Sequence, residues 1–249
     1  MSFHLKSRFG IFNRWHYLIL MVLIFSDPAF SQINEVTWNT TVVIDSMPGN
    51  YGSQYGRLLH LKDSEWLAAC TVSVNAGYQK DHAGGLQLQV SESDDNGLHW
   101  KKISRIKDPG RDLDNAAFIR LPDGSVLLAC RAVRWQESYE LPVYKSSDNG
   151  RTWKRISVID ANEGSPGSLG HPDKGVYEPH FCFLKGGKLA VMYANEKHVT
   201  DKNSYSQIIS EKISPDDGKT WGKEIWVAWQ PGNHQARPGM PVWTKINNG

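Results

Sequence analysis

Three carboxylates stand in company that suits acid–base or nucleophilic work: Glu178 between Tyr177 and Pro179, Asp114 beside Asn115, and Glu196 closing the run Tyr193-Ala194-Asn195-Glu196. Two carboxyl groups on either side of an acetal can cleave it, one giving a proton to the leaving oxygen and the other attacking the carbon or activating water. Arg57, Arg131 and Arg237 carry planar forks that fit sugar hydroxyls or a carboxylate. Glu178 is the first candidate for the reacting carboxyl. Asp114 and Glu196 suit hydrogen bonds to hydroxyls as well as they suit chemistry. Each residue also has a plainer reading: Glu178 as a strand-edge glutamate bonded to an arginine, Asp114 and Glu196 as turn caps, the arginines as bridges between units of the fold. Trp135 and Tyr139 offer faces for a sugar ring or for core packing, and Asp81-His82 reads as a loop at the rim.

Other chemistries lack their motifs. The sequence has no G-x-G-x-x-G, no phosphate loop, no C-x-x-C and no H-E-x-x-H, so neither cofactor nor metal is expected. Cys70, Cys130 and Cys182 are odd in number and far apart, which favours small buried apolar residues over disulfides. A composition of 40% hydrophobic and 22% charged residues in 249 excludes a disordered or collagen-like chain and suits one or two domains.

The elements that must position these residues are announced by a repeat. S-x-D-x-G-x-x-W occurs at Ser93-Asp95-Gly97-Trp100, Ser146-Asp148-Gly150-Trp153 and Ser214-Asp216-Gly218-Trp221. This is hairpin-turn chemistry: the Asp accepts bonds from turn amides, the Gly takes positive φ, and the Trp packs on the next strand. Before each box comes an apolar strand, a tight turn and a second apolar strand, as in FIRLPDGSVLLAC from Phe118. Aligning Leu61, Leu121, Leu184 and Ile246 gives intervals of 60, 63 and 62 residues. One unit is thus four antiparallel strands, the blade of an all-β propeller. About 3.5 blades are expected, the fourth copy starting at Val242 and stopping within its first turn, so the sequence reads as a propeller truncated at its C-terminus.

The first strand of every blade lines a propeller's central channel. The phase just before that strand holds Gln54 to Arg57, Arg111 to Asn115, Tyr177-Glu178 and Arg237. Polar or charged groups occur at all four, and a purely structural blade requires none there. Their convergence near the axis is the site expected from the repeat.

Residues 1–31 read as a signal peptide: Lys6, Arg8 and Arg14, then the apolar run Tyr17 to Phe25, then Ala29-Phe30-Ser31, with cleavage before Gln32. A secreted or periplasmic protein with no membrane span in its mature chain follows. The remaining residues, 32–249, carry 25 basic and 25 acidic side chains and no Lys/Arg run, which gives no electrostatic reason to bind nucleic acid.

Asp boxes in an exported propeller resemble the sialidase superfamily, also called the BNR-repeat glycosidases. Gly175-Val176-Tyr177-Glu178-Pro179, Arg237-Pro238-Gly239-Met240-Pro241-Val242 and Tyr193 to Glu196 resemble glycoside hydrolase family 93, the exo-acting α-1,5-L-arabinanases. The resemblance implies a six-bladed propeller, a monomer when full-length, and a retaining mechanism with two glutamates. Glu178 matches the first glutamate, and the second is implied just beyond Gly249, which would leave the fragment itself inactive. It further implies an oligosaccharide or polysaccharide substrate, arabinan-type or sialoside-like; the candidates to contact it, taken from repeat phase and residue type, are Arg57, Asp114, Asn115, Arg131, Tyr177, Glu196 and Arg237. True sialidases open their first blade with an arginine in R-I-P, whereas this chain has Tyr55-Gly56-Arg57-Leu58. A non-catalytic Asp-box propeller that binds glycans or proteins is the alternative.

Overall fold

The computed structural model describes residues 41–46, 53–73, 85–165, 168–169, 174–198, 206–230, 236–244 and 246. The leader at 1–31, Asp81-His82 and Asn247 to Gly249 lie outside the described residues. Twelve strands are found among those described, and no helix. β1 (Ser53–Lys62), β2 (Glu65–Ser73), β3 (Leu86–Ser93) and β4 (Lys101–Ile106) form the first sheet. β5 (Asp112–Arg120), β6 (Val126–Arg134), β7 (Ser138–Ser146) and β8 (Lys154–Glu163) form the second, and β9 (Val176–Phe183), β10 (Leu189–Asn195), β11 (Ile208–Ser214) and β12 (Ile225–Ala228) the third. All three are antiparallel meanders, each one sequence repeat long, and together they are blades of a β-propeller.

The blades stack through their faces, and β6 shows how the sequence encodes this. Val126, Leu128, Cys130 and Ala132 point into a core shared with Leu67, Ala69, Leu88 and Val90 of the first sheet. The alternate residues Leu127, Ala129 and Val133 point into a core shared with Phe181, Val191 and Tyr193 of the third. A strand buried on both faces reads as a continuous apolar run, which is why VLLACRAV shows no polar alternation. Each fully buried Leu contributes about 1.5–3 kcal/mol. Arg131 shares the parity of Leu127 and Ala129, so the one charge in this run is aimed at the third blade. Cys70 and Cys130 are buried and Cys182 half-buried, and all three are free thiols. Burial pushes the Cys130 thiol well above its ordinary range.

The Asp boxes close the β3–β4, β7–β8 and β11–β12 hairpins. Ser93, Ser146 and Ser214 each donate a hydroxyl to the box Asp and accept the box Gly amide at 2.9, 2.8 and 2.8 Å. The Asp carboxylates accept the amides of His99, Thr152 and Thr220. The boxes also rivet one blade to the next, which the hairpin reading does not anticipate. Trp153 Nε1 donates to Ser104 Oγ of β4 at 3.1 Å while Ser104 donates to the Gly150 carbonyl. Trp221 and Gly218 make the same pair of bonds with Ser157 of β8.

At the inner edge β5 lies against both β1 and β9, so the three first strands are neighbours around the axis. Residues 236–244, which start the fourth unit of the repeat, join no ladder, and Trp243 packs on the core of the second and third blades.

Candidate active site

The three inner strands share one irregularity. In β1, Tyr55 and Gly56 stand against the single residue Cys70; in β5, Asn115 and Ala116 against Cys130; in β9, Glu178 and Pro179 against Tyr193. Each is a two-against-one bulge, a device that re-aims side chains at the rim of a sheet. The first residue of each bulge is left-handed, with φ of 50° at Tyr55, 53° at Asn115 and 58° at Glu178. Met240, in the fourth unit, has φ 49°. The four positions recur at intervals of 60, 63 and 62 residues, the same intervals as Leu61, Leu121, Leu184 and Ile246. None is glycine, and all but Asn115, whose type tolerates the region, hold the backbone at a cost on the order of 1 kcal/mol. Strain repeated at one phase of the repeat, beside the axis, marks the candidate site.

Glu178 is half-buried. Its Oε2 accepts the Met240 amide at 2.5 Å. One carboxylate oxygen is therefore anchored, and the other accepts no hydrogen bond from the described residues.

Behind it runs a chain of paired charges. Tyr177 precedes the bulge and is buried; its hydroxyl accepts the Gly175 amide at 3.1 Å and donates to Glu196 Oε2 at 3.2 Å. Glu196 is 2% exposed and is ion-paired through Oε1 with Arg237. Arg237 also donates to Gln207 Oε1 at 3.2 Å. On the other side of Tyr177, Arg131 Cζ lies 5.5 Å from the ring centroid, a cation–π distance. Arg131 is ion-paired with Asp114, its partner in the β5–β6 register. Burial pushes the Asp114 carboxyl above its usual range, against the opposing charge and hydrogen bond of Arg131.

Of the residues singled out from sequence, Asp114, Arg131, Tyr177, Glu196 and Arg237 thus form one connected network under the axial bulges, with Glu178 beside it. Asn115 is 5% exposed, and its Oδ1 has no hydrogen-bond partner among the described residues. Arg57 is half-buried on β1 and donates to the Gly56 carbonyl at 3.0 Å; its charge lowers the pKa of His180 on β9, after burial. Tyr139 is wholly buried, edge-on to Tyr177 at 5.8 Å, so it packs in the core. Gly239 and Met240 stand out from sequence only as part of the Arg237–Val242 motif, with no role of their own, and Gln207 does not stand out at all. Met240 was reachable by counting 62 residues on from Glu178, whereas nothing in its surroundings flags Gln207.

Residues 27–237 match the family model described as a BNR repeat-like domain. The chain belongs to the BNR repeat-like family. This BNR-repeat protein is similar in structure to an α-L-arabinanase of Penicillium chrysogenum complexed with arabinobiose, at TM-score 0.69 and 29% identity over 86% of this chain and 61% of that one. It is also similar to the GH93 α-L-arabinofuranosidase of Fusarium graminearum complexed with arabinobiose, at TM-score 0.63 and 25% identity over 80% of this chain and 55% of that one. A protein of unknown function from Dyadobacter fermentans shares the fold, at TM-score 0.56 and 16% identity over 76% of this chain and 58% of that one. The BNR-repeat chain therefore spans about three fifths of the length of these two solved structures. No curated protein sequence matches it. The fold is a sialidase-like propeller near glycoside hydrolase family 93.

Proposed function

We propose that the protein is a secreted, exo-acting, retaining glycoside hydrolase that removes terminal arabinofuranose-type sugars, with Glu178 as one of its two reacting carboxyl groups. The observation that carries this reading is Glu178 itself: a non-glycine residue held left-handed beside the axis, one carboxylate oxygen anchored and the other accepting no hydrogen bond from the described residues. Asp114 and Glu196 are ion-paired with Arg131 and Arg237 and are read as supporting groups for Glu178. The partner carboxyl of Glu178 is expected after the hairpin that begins at Trp243. Those same ion pairs favour a neutral sugar. A sialoside needs cationic groups for its carboxylate, and two of the three candidate arginines, Arg131 and Arg237, already balance a buried acid. The arabinobiose complexes of the two solved relatives lend support from a different direction.

The test is Glu178→Gln in the full-length protein, assayed on aryl α-L-arabinofuranosides, arabinan and aryl sialosides. The substitution keeps the shape and removes both nucleophilicity and proton transfer, so turnover of arabinosides should fall at least about a hundredfold. An active wild type with an unaffected variant refutes the role of Glu178. Turnover of sialosides alone overturns the substrate, and no turnover of any glycoside by the wild type favours a binding propeller.

A further inference from the structure

The contact between Glu178 and Met240 joins two bulges of the same repeat phase, one on the third blade and one on the fourth unit. It is not a general feature of blade seams: at the same phase on the second blade, Asn115 Oδ1 receives no such bond among the described residues. The segment that delivers the Met240 amide is pinned by one residue, through its backbone amide and its side chain. Gln207 is 6% exposed; its amide donates to the Ala236 carbonyl at 2.9 Å and its Nε2 to the Pro238 carbonyl at 2.6 Å. Its Oε1 accepts from Arg237 at 3.2 Å. Between these anchors sits Gly239, where an added Cβ would lie 3.1 Å from Glu178 Oε2 and 3.1 Å from Gln207 Nε2. No larger residue fits without pushing the carboxylate or the clamp.

We propose that Ala236 to Met240, clamped by Gln207, is a positioning device for Glu178: Gly239 gives the clearance and the left-handed Met240 gives the amide that fixes which carboxylate oxygen reacts. The activity arm of this inference rests on the hydrolase reading above; its spectroscopic arm does not. Gln207, Gly239 and Met240 are positioning residues, acting on any substrate only through Glu178.

The experiment uses the full-length protein labelled with 15N-methionine, with the Met240 resonance assigned by its loss in Met240→Leu. A backbone amide bonded to a carboxylate follows that carboxylate's titration. The Met240 amide proton should therefore titrate in the wild type, lose the titration in Glu178→Gln, and show it weakened in Gly239→Ala. In parallel, Gly239→Ala should lower kcat by about tenfold with KM within about twofold, as misplacement of a reacting group does, and leave the Tm within about 2 °C. Gln207→Glu, which keeps the shape and loses the Nε2 donor, should reproduce the kinetic effect. A Met240 amide indifferent to Glu178→Gln overturns the proposal, and so does wild-type kcat in Gly239→Ala. If the wild type cleaves no glycoside, the hydrolase reading falls while the amide titration still decides the contact.

Discussion

The rim and the axis of this propeller solve the same problem, turning a chain sharply once per blade, in opposite ways. At the rim the turn is copied: the same Ser, Asp, Gly and Trp, the same bonds within a few tenths of an ångström, and glycine at the positive φ of 82°, 85° and 86°. At the axis the backbone is copied but the side chain is not. Tyr55, Asn115, Glu178 and Met240 share one left-handed conformation, and only asparagine among them adopts it readily. The rim therefore uses the residue that relieves strain, and the axis keeps residues that store it. A turn whose task is the same in every blade can be repeated; a bulge that presents a different group in each blade cannot.

The largest test of this contrast is electrostatic. Arg131→Met leaves Asp114, at 3% exposure, without its cation, and should cost about 3–5 kcal/mol of unfolding free energy, the cost of breaking a buried pair. Adding Asp114→Asn should restore much of it. Urea denaturation of the two variants decides this; a single variant as stable as the wild type would show that the axial network holds nothing together. No single rim carboxylate should approach that effect, because Asp95, Asp148 and Asp216 are only half-buried and keep contact with water.

The rim breaks through its glycines instead, in a graded series. A Cβ at Gly218 would meet Leu127 Cδ1 at 2.8 Å, one at Gly150 would meet Leu67 Cδ1 at 3.2 Å, and one at Gly186, in an ordinary β9–β10 turn, would meet nothing within 4 Å. All three have φ near 85°. Alanine at Gly186 should therefore cost only the backbone term of about 1–2 kcal/mol, and Gly218→Ala should add about 1–3 kcal/mol of overpacking, with Gly150→Ala between. Equal losses at the three positions would mean that the boxes do not press on the neighbouring blade.

Acid separates the axis from the seam between the second and third blades. There, burial pushes Asp160 up, but hydrogen bonds from Lys197 and Tyr193 and the charges of Lys212 and Lys197 outweigh it, and the carboxyl sits below its usual range. A carboxyl with depressed folded pKa binds fewer protons folded than unfolded. Its contribution is therefore complete above the ordinary carboxylate pKa of about 4 and is lost as the pH falls through the folded value. Asp114, raised by burial, has the opposite sign: its contribution is complete at low pH and lost as the pH rises from about 4 toward its folded value. Stability measured between about pH 3 and 6 should rise less steeply with pH in Asp160→Asn and more steeply in Asp114→Asn. Parallel slopes in the two variants would contradict the assignment.

The contrast also explains what could be read from sequence. The boxes, the hairpins and the blade count of three plus a beginning were legible because turn chemistry is local: Ser93, Asp95 and Gly97 lie within five residues and bond one another. The Asp114–Arg131 pair was half-legible, since a hairpin's register places the two opposite each other. The latch of Trp153 to Ser104 spans 49 residues, Met240 to Glu178 spans 62, and Gln207 to Pro238 spans 31. Those meetings are set by how blades stack, which no short motif records. Glu196 shows the limit in another form. Its type and neighbours suit a hydroxyl-binding group, yet it lies beneath Tyr177 and supports it.

The smallest effect tests whether the axial strain is stored at all. Tyr55 is left-handed at φ 50° and 44% exposed, so Tyr55→Gly relieves the backbone while giving up little buried surface. Asn115 is left-handed at φ 53° but of a type that tolerates the region, and its side chain is buried. Tyr55→Gly should therefore gain up to about 1 kcal/mol, reduced by the greater freedom of glycine in the unfolded chain, and Asn115→Gly should gain nothing and lose packing. The two variants differ in sign although they occupy the same place in the repeat. A loss of stability in Tyr55→Gly comparable to that in Asn115→Gly would mean that the bulges are relaxed and that their shared conformation is a by-product of blade geometry; a gain confined to Tyr55 places the strain in the backbone that also holds Glu178.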